Sequence, residues 1–200
     1  MALVLPPGRP WDGDPVDTVA EGGDHQSESL RAGLATLPSD AEIAVVADPA
    51  HPLASDALFR AVISAVRAGA DGAVPVMPIL EVVQRVGNGR VLDTVPKNDL
   101  VLTQSPHAFR VNVLRVLHAD RPRPPENSGL LVENGHQVVT VPGEPDNLHV
   151  TTPAELEVVR RLTLGRFAEQ ARSALRNDPD ATCSPITHSG VPYTAEGHAS

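Results

Sequence analysis

Three groups of residues in this chain have types and spacing that can do chemistry. Gly22-Gly23-Asp24, followed by His25 to Ser29, places a glycine turn just ahead of an apolar-periodic run. A helix starting there offers unpaired backbone N–H groups to an anion. Asp48 ends the apolar run Ile43 to Ala47, where a carboxylate can take a hard cation such as Mg²⁺. Lys97, the one lysine beside fifteen arginines, is the single candidate for a lysine-based phosphate clamp. No glycine-rich loop with a following Arg and Lys, the element suited to hold a triphosphate, occurs in the sequence.

Each group has a plainer reading. Gly22-Gly23 also reads as a simple turn, Asp48 as a helix-capping acid and Lys97 as a solvated hairpin charge. Ser105 reads as a helix N-cap. His51 and His149 are not read as zinc ligands, because no Cys or acid accompanies them at metal-ligand spacing. Cys183 has no evident catalytic partner.

Composition narrows the classes. Two hundred residues suffice for one domain with a real core. A formal net charge of −9 argues against nucleic acid or an anionic membrane as the main partner. Five aromatic residues are too few for a base-stacking platform. With no signal-like segment, no long apolar run and one cysteine, a cytoplasmic chain without disulfides is expected.

The elements that must position these residues follow from periodicity. Met1 to Leu5 reads as an edge strand and residues 6 to 17 as a loop. A helix is expected over Ser27 to Leu37, a strand over Ile43 to Ala47, a Ser55-capped helix through Ala68 and a strand over Ala73 to Met77. This alternation predicts a parallel, doubly wound sheet. Val82 to Val95, with Gly87-Asn88-Gly89 at its centre, predicts a β-hairpin. Leu100 to Thr103 returns to the sheet. Ser105-Pro106 is read as opening a helix to His118, and Arg121 to Pro125 as a proline-rich loop. A strand over Gln137 to Val141 precedes a long helix that starts on the capping box Thr152-Pro153-Ala154-Glu155, with Leu156, Val159 and Phe167 among its apolar positions. The domain is expected over 1–176, and 177–200 as a disordered tail.

The order of these motifs resembles the 2-C-methyl-D-erythritol 4-phosphate cytidylyltransferases of isoprenoid biosynthesis over about residues 1 to 162. The marks are Gly22-Gly23 with Glu28-Ser29, Val46-Ala47-Asp48-Pro49-Ala50-His51-Pro52, Pro75-Val76-Met77-Pro78, Thr94-Val95-Pro96-Lys97, Thr103 to Phe109 and Asp146 to Pro153. The resemblance implies an α/β, Rossmann-like nucleotidyltransferase fold, with a mixed, mostly parallel sheet and a protruding hairpin arm at about 82–95. It implies cytidylyl transfer from CTP to a sugar-alcohol phosphate with Mg²⁺. Gly23, Asp24 and Ser29 would contact the cytidine, and Asp48 the nucleotide and metal. Lys97, Ser105 and His149 occupy altered catalytic positions.

The departures point to impairment. The nucleotide loop has no counterpart, and an Asp-Thr pair becomes Glu81-Val82. Lys97 replaces an Arg, Ser105 a Thr, His149 a Lys, His51 an Arg, and Glu126-Asn127-Ser128 a Thr-Asp-Asp. A degenerate family member that dimerises through its arm is therefore expected. A non-catalytic partner of a full-length paralogue is the alternative, and a nucleotide sensor a third. With the family's first strand missing, Met1 to Leu5 is expected to cover the gap unless a partner supplies a strand.

Overall fold

The computed structural model describes residues 1–120, 122 and 126–177. It divides into two units, residues 1–160 and 161–200. The expected tail lies almost wholly outside the described residues.

The first unit opens on β1 (Ala2–Leu5) and β2 (Thr18–Glu21), a parallel pair that forms its own two-stranded sheet. β1 therefore does not fill the gap beside the main sheet, which corrects that expectation. α1 (Gln26–Thr36) follows, and the His25 N–H donates to Glu28 Oε2 at its start. β3 (Ile43–Val46) leads to α2 (Asp56–Arg67), where Ser55 Oγ accepts the Leu58 N–H at 3.2 Å as the predicted cap. Gly69, at φ 127°, ends that helix in a conformation that L side chains rarely adopt.

β4 (Gly72–Pro78) is the centre of the five-stranded sheet. β7 (Val101–Thr103) and β8 (His107–Arg110) share one of its edges, both antiparallel to it, and β9 (Val138–Pro142) pairs with the other in parallel. β3 is antiparallel to β8. So β3, β4 and β9 run the same way, with β7 and β8 reversed between them: the sheet is mixed.

β8 corrects the predicted helix from Ser105 to His118. Four residues after Ser105-Pro106 pair as a strand, and α3 (Val111–Leu117) starts only afterwards. The reason is tertiary. Ala108 faces Ala73 in the register, Phe109 faces Ala44, and both are fully buried. A helix here would forfeit two ladders and the burial of the Phe109 ring. Gly72 makes room for that ring, since a Cβ there would sit 2.8 Å from Phe109 Cδ1.

Alternation along the strands produces two cores. On one face Ala44, Phe109 and Val111 pack with Leu34, Leu114 and Leu131, which α1, α3 and α4 (Asn127–Glu133) contribute. On the other, Ala73 and Ala108 meet Val62 and Val66 of α2. β5 (Val83–Gly87) and β6 (Arg90–Val95) form the hairpin, turning through Asn88 and Gly89 at positive φ. They pair with each other in a separate sheet. Val82, Val86, Val91 and Leu92 on this arm are exposed.

α5 (Pro153–Asn177) begins in the first unit, where Val159 is buried and Leu156 is exposed. In the second unit it continues to Asn177 with Leu164 and Phe167 exposed. No helix of the described residues is long and apolar enough to cross a membrane.

Candidate functional site

Asp48 is presented by the turn that leaves β3. Its backbone N–H donates to Ser105 Oγ at 2.8 Å. The Ala50 N–H donates to Asp48 Oδ1 at 2.9 Å, and the His51 N–H to the Asp48 carbonyl at 2.9 Å. One carboxylate oxygen is thus used locally to shape the turn, while Oδ2 lies 4.0 Å from His149 Nε2. Ser105 is no helix cap. Its hydroxyl holds the Asp48 backbone, which places it in the site for a structural reason.

His149 belongs to the loop between β9 and α5, and that loop is anchored at several points. The Val150 N–H donates to the Ala50 carbonyl at 2.7 Å, joining the two loops that carry the candidate groups. Asn147 is buried and donates through Nδ2 to the Ser105 carbonyl at 2.8 Å. Gln104 Nε2 donates to the carbonyls of Glu144 and Asn147 at 2.8 and 3.0 Å, and its Oε1 accepts the Glu144 N–H at 2.9 Å. The Glu144 carboxylate accepts from the Ser55 N–H at 3.2 Å and from the Ser55 hydroxyl, reaching the start of α2. Gly143 permits this closeness, because a Cβ would meet Gln104 Oε1 at 2.4 Å and the Val76 carbonyl at 2.9 Å.

The two histidines meet at this junction. Their rings stack at 4.7 Å between centroids with planes 4° apart. His51 Nδ1 is buried without a hydrogen-bond partner. Burial lowers the His51 pKa, the neighbouring His149 adds to that, and the Asp48 charge opposes it. One ligand atom from each of Asp48, His51 and His149 lies within 4.8 Å of the others. The expectation that no acid accompanies these histidines is corrected: Asp48 does, through the β3 turn and the Val150–Ala50 tie.

The remaining predicted site residues sit on other elements. Gly23 and Asp24 follow β2, in the two-stranded sheet, and the Gly23 N–H donates to Ser29 Oγ at 3.3 Å. Ser29 therefore closes the glycine turn. Lys97 spends its ammonium on the carbonyls of Leu80 and Glu81, at 2.5 and 3.1 Å, at the base of the hairpin. A depression of about 310 Å³ lined by Glu42, Ile43, Val45, Ile63 and Arg67 runs beside β3 and includes none of the Asp48 group. Its lining holds none of the predicted site residues.

A Mg²⁺ ion prefers oxygen ligands in near-octahedral geometry. Asp48 offers one carboxylate, flanked by two imidazoles that suit Mg²⁺ poorly. The residues present fit Mg²⁺ only as an ion carried on a nucleotide, with phosphates and water supplying most of its shell.

Comparison with known proteins agrees with this architecture. Residues 10–162 match the family model described as 2-C-methyl-D-erythritol 4-phosphate cytidylyltransferase. The bifunctional IspD/IspF enzyme of Granulibacter bethesdensis is 37% identical over 145 residues, covering 72% of this chain and 38% of that enzyme. The 2-C-methyl-D-erythritol 4-phosphate cytidylyltransferase of Nocardia farcinica is 33% identical over 166 residues, covering 82% and 69%. The chain thus spans little more than a third of the bifunctional relatives it matches and 60% of the Frankia casuarinae cytidylyltransferase. The crystal structure of the Thermus thermophilus cytidylyltransferase superposes with a TM-score of 0.71 at 25% identity, over 81% of each chain. The fold is the Rossmann-like nucleotidyltransferase fold of these neighbours.

Proposed function

The chain belongs to the 2-C-methyl-D-erythritol 4-phosphate cytidylyltransferase family, and from that premise we propose that it binds CTP while transferring the cytidylyl group weakly or not at all. In the reaction proposed, a phosphate oxygen of a sugar-alcohol phosphate attacks the α-phosphorus of CTP and pyrophosphate leaves. Catalysis of such a step rests on positioning and on cationic stabilisation of the charge gathering around phosphorus.

One observation carries this reading. Asp48, fixed by Ser105 and Ala50, keeps its place at the end of β3, yet the side chains that meet it are imidazoles, His51 and His149. Burial disfavours the charged form of His51. Arg and Lys at these places would bring permanent charge and a bidentate fork that imidazoles lack. The chain's single lysine, Lys97, is engaged by hairpin carbonyls. In this reading Gly23, Asp24 and Ser29 line the cytidine side, Asp48 orients a nucleotide-borne Mg²⁺, and Ser105 and His149 contact phosphates. The protein is read as cytoplasmic.

Calorimetric titration with CTP and Mg²⁺, with ATP as control, tests this. Selective CTP binding that disappears in Asp48→Ala is expected. Absence of binding at millimolar CTP, or binding indifferent to Asp48, overturns it.

The exposed apolar row on the arm favours a second, compatible reading: a homodimer in which arms engage neighbouring copies. A mixed dimer with a paralogue is the non-catalytic version. Co-purification with the paralogue, lost on deleting 82–95, separates it from the enzyme reading.

A further inference from the structure

We propose that Asp48, His51 and His149 form a site for one divalent transition-metal ion, of the zinc or cobalt class, that fills without any nucleotide. The donors converge from two loops separated by about a hundred positions in sequence, with one ligand atom each inside a 4.8 Å spread. Those loops are not independent. The Val150 N–H bond to the Ala50 carbonyl at 2.7 Å sits beside both histidines and holds the loops in register.

The donor chemistry selects the metal. Two imidazole nitrogens and one carboxylate oxygen suit zinc, cobalt, nickel or iron, whereas Mg²⁺ and Ca²⁺ prefer oxygen shells. The carboxylate is already oriented as a ligand would be, because the Ala50 N–H at 2.9 Å occupies Oδ1 and leaves Oδ2 toward His149. His51 Nδ1 is a second, independent sign. It is buried with no hydrogen-bond partner, an arrangement that is costly unless a bond is made to that nitrogen.

The geometry also states what binding must change. Metal–ligand bonds of about 2.0–2.2 Å in tetrahedral geometry bring ligand atoms to about 3.3–3.6 Å from one another. Loading therefore draws the three groups closer by up to about 1.5 Å, and one imidazole leaves the parallel stack so that the nitrogens aim at a common point. His149 is the ring able to turn, since its side chain is 53% exposed. Three protein ligands leave coordination positions for water or a phosphate oxygen.

The test is titration of the full chain with Co²⁺ in the absence of nucleotide, read by visible ligand-field absorption, with Zn²⁺ displacement giving the zinc affinity. One equivalent is expected to bind. Each of Asp48→Asn, His51→Gln and His149→Gln should weaken it by at least about tenfold. Millimolar Mg²⁺ should not displace the Co²⁺. His149→Gln changes an exposed ring, and its unchanged circular dichroism would show that the fold survives. Binding that persists in all three variants places the ion elsewhere, for example on Cys183, His188 or His198, and overturns the site. Displacement by equimolar Mg²⁺, or no binding at millimolar Co²⁺, does the same. Neither result depends on whether CTP binds, so the two readings fail separately.

Discussion

Replacing Asn147 by Ala probes the scaffold that holds the candidate site together. Asn147 is 1% exposed, and its Nδ2 supplies the 2.8 Å bond to the Ser105 carbonyl, whose hydroxyl in turn fixes Asp48. Three terms set the cost. Orphaning a buried carbonyl costs about 1–3 kcal/mol. Emptying the volume of a small amide adds about 1 kcal/mol of lost packing. Against these, Asn147 Oδ1 has no partner and is buried, so removing it returns about 1 kcal/mol of desolvation. The net loss is about 2 kcal/mol, which lowers the midpoint of thermal unfolding by about 4–8 °C in a chain of this size. Asn147→Asp keeps the shape but turns a second acceptor toward the Ser105 carbonyl, and should cost more than Ala. Urea unfolding followed by far-UV circular dichroism measures both, with an unchanged slope confirming a common mechanism. An Ala variant within about 0.5 kcal/mol of the parent, or an Asp variant as stable as the parent, would refute the reasoning.

Other expectations follow from single contacts. Phe109→Ala, which empties a fully buried ring site beside Gly72, should destabilise by about 3–5 kcal/mol in the same urea measurement. Glu126 accepts the Asn127 and Ser128 N–H groups at 2.9 and 3.3 Å and caps α4, so Glu126→Ala should cost about 0.5–2 kcal/mol. Glu155 is held at a pKa of about 2, against an ordinary value of 4.5, chiefly by the Thr151 N–H, then the Thr151 hydroxyl and the Thr152 N–H. A depressed carboxylate contributes stability above the unfolded value and loses it as the pH falls through the folded one. The stability difference between the parent and Glu155→Gln should therefore be constant above pH 4.5 and shrink toward pH 2; a difference that does not change over that range would contradict it. Deleting 82–95 should convert the proposed dimer to a monomer by sedimentation, and an unchanged mass would remove the arm from that role.

Much of the fold was legible because its signals are local. Ile43–Val46 and Gly72–Pro78 are short apolar runs, Ser55 and the Thr152–Glu155 box are helix starts, and Asn88-Gly89 is a hairpin turn. β8 was not legible, since His107–Arg110 carries no alternation and becomes a strand only by lying between β3 and β4. β2 and α4 were missed for similar reasons. β2 is four residues long with a polar rim, and α4 opens on Asn-Ser-Gly under a Glu126 cap that a proline-rich context hides. At the site, Asp48 stood out as a carboxylate at a strand end. Its union with His51 and His149 did not, because sequence spacing cannot show that Val150 reaches Ala50. Ser105 was singled out, but its role as a partner of the Asp48 backbone depends on the same long-range junction.

If the family's transfer chemistry survives here only in weakened form, as proposed, release of pyrophosphate from CTP reports it. The full chain and the Nocardia farcinica relative would be assayed side by side with CTP, Mg²⁺ and the sugar-alcohol phosphate at saturation. The account predicts release slower by about 10³-fold or more, the scale of one missing cationic group at a transferring phosphoryl. A rate within tenfold of the relative's would contradict it.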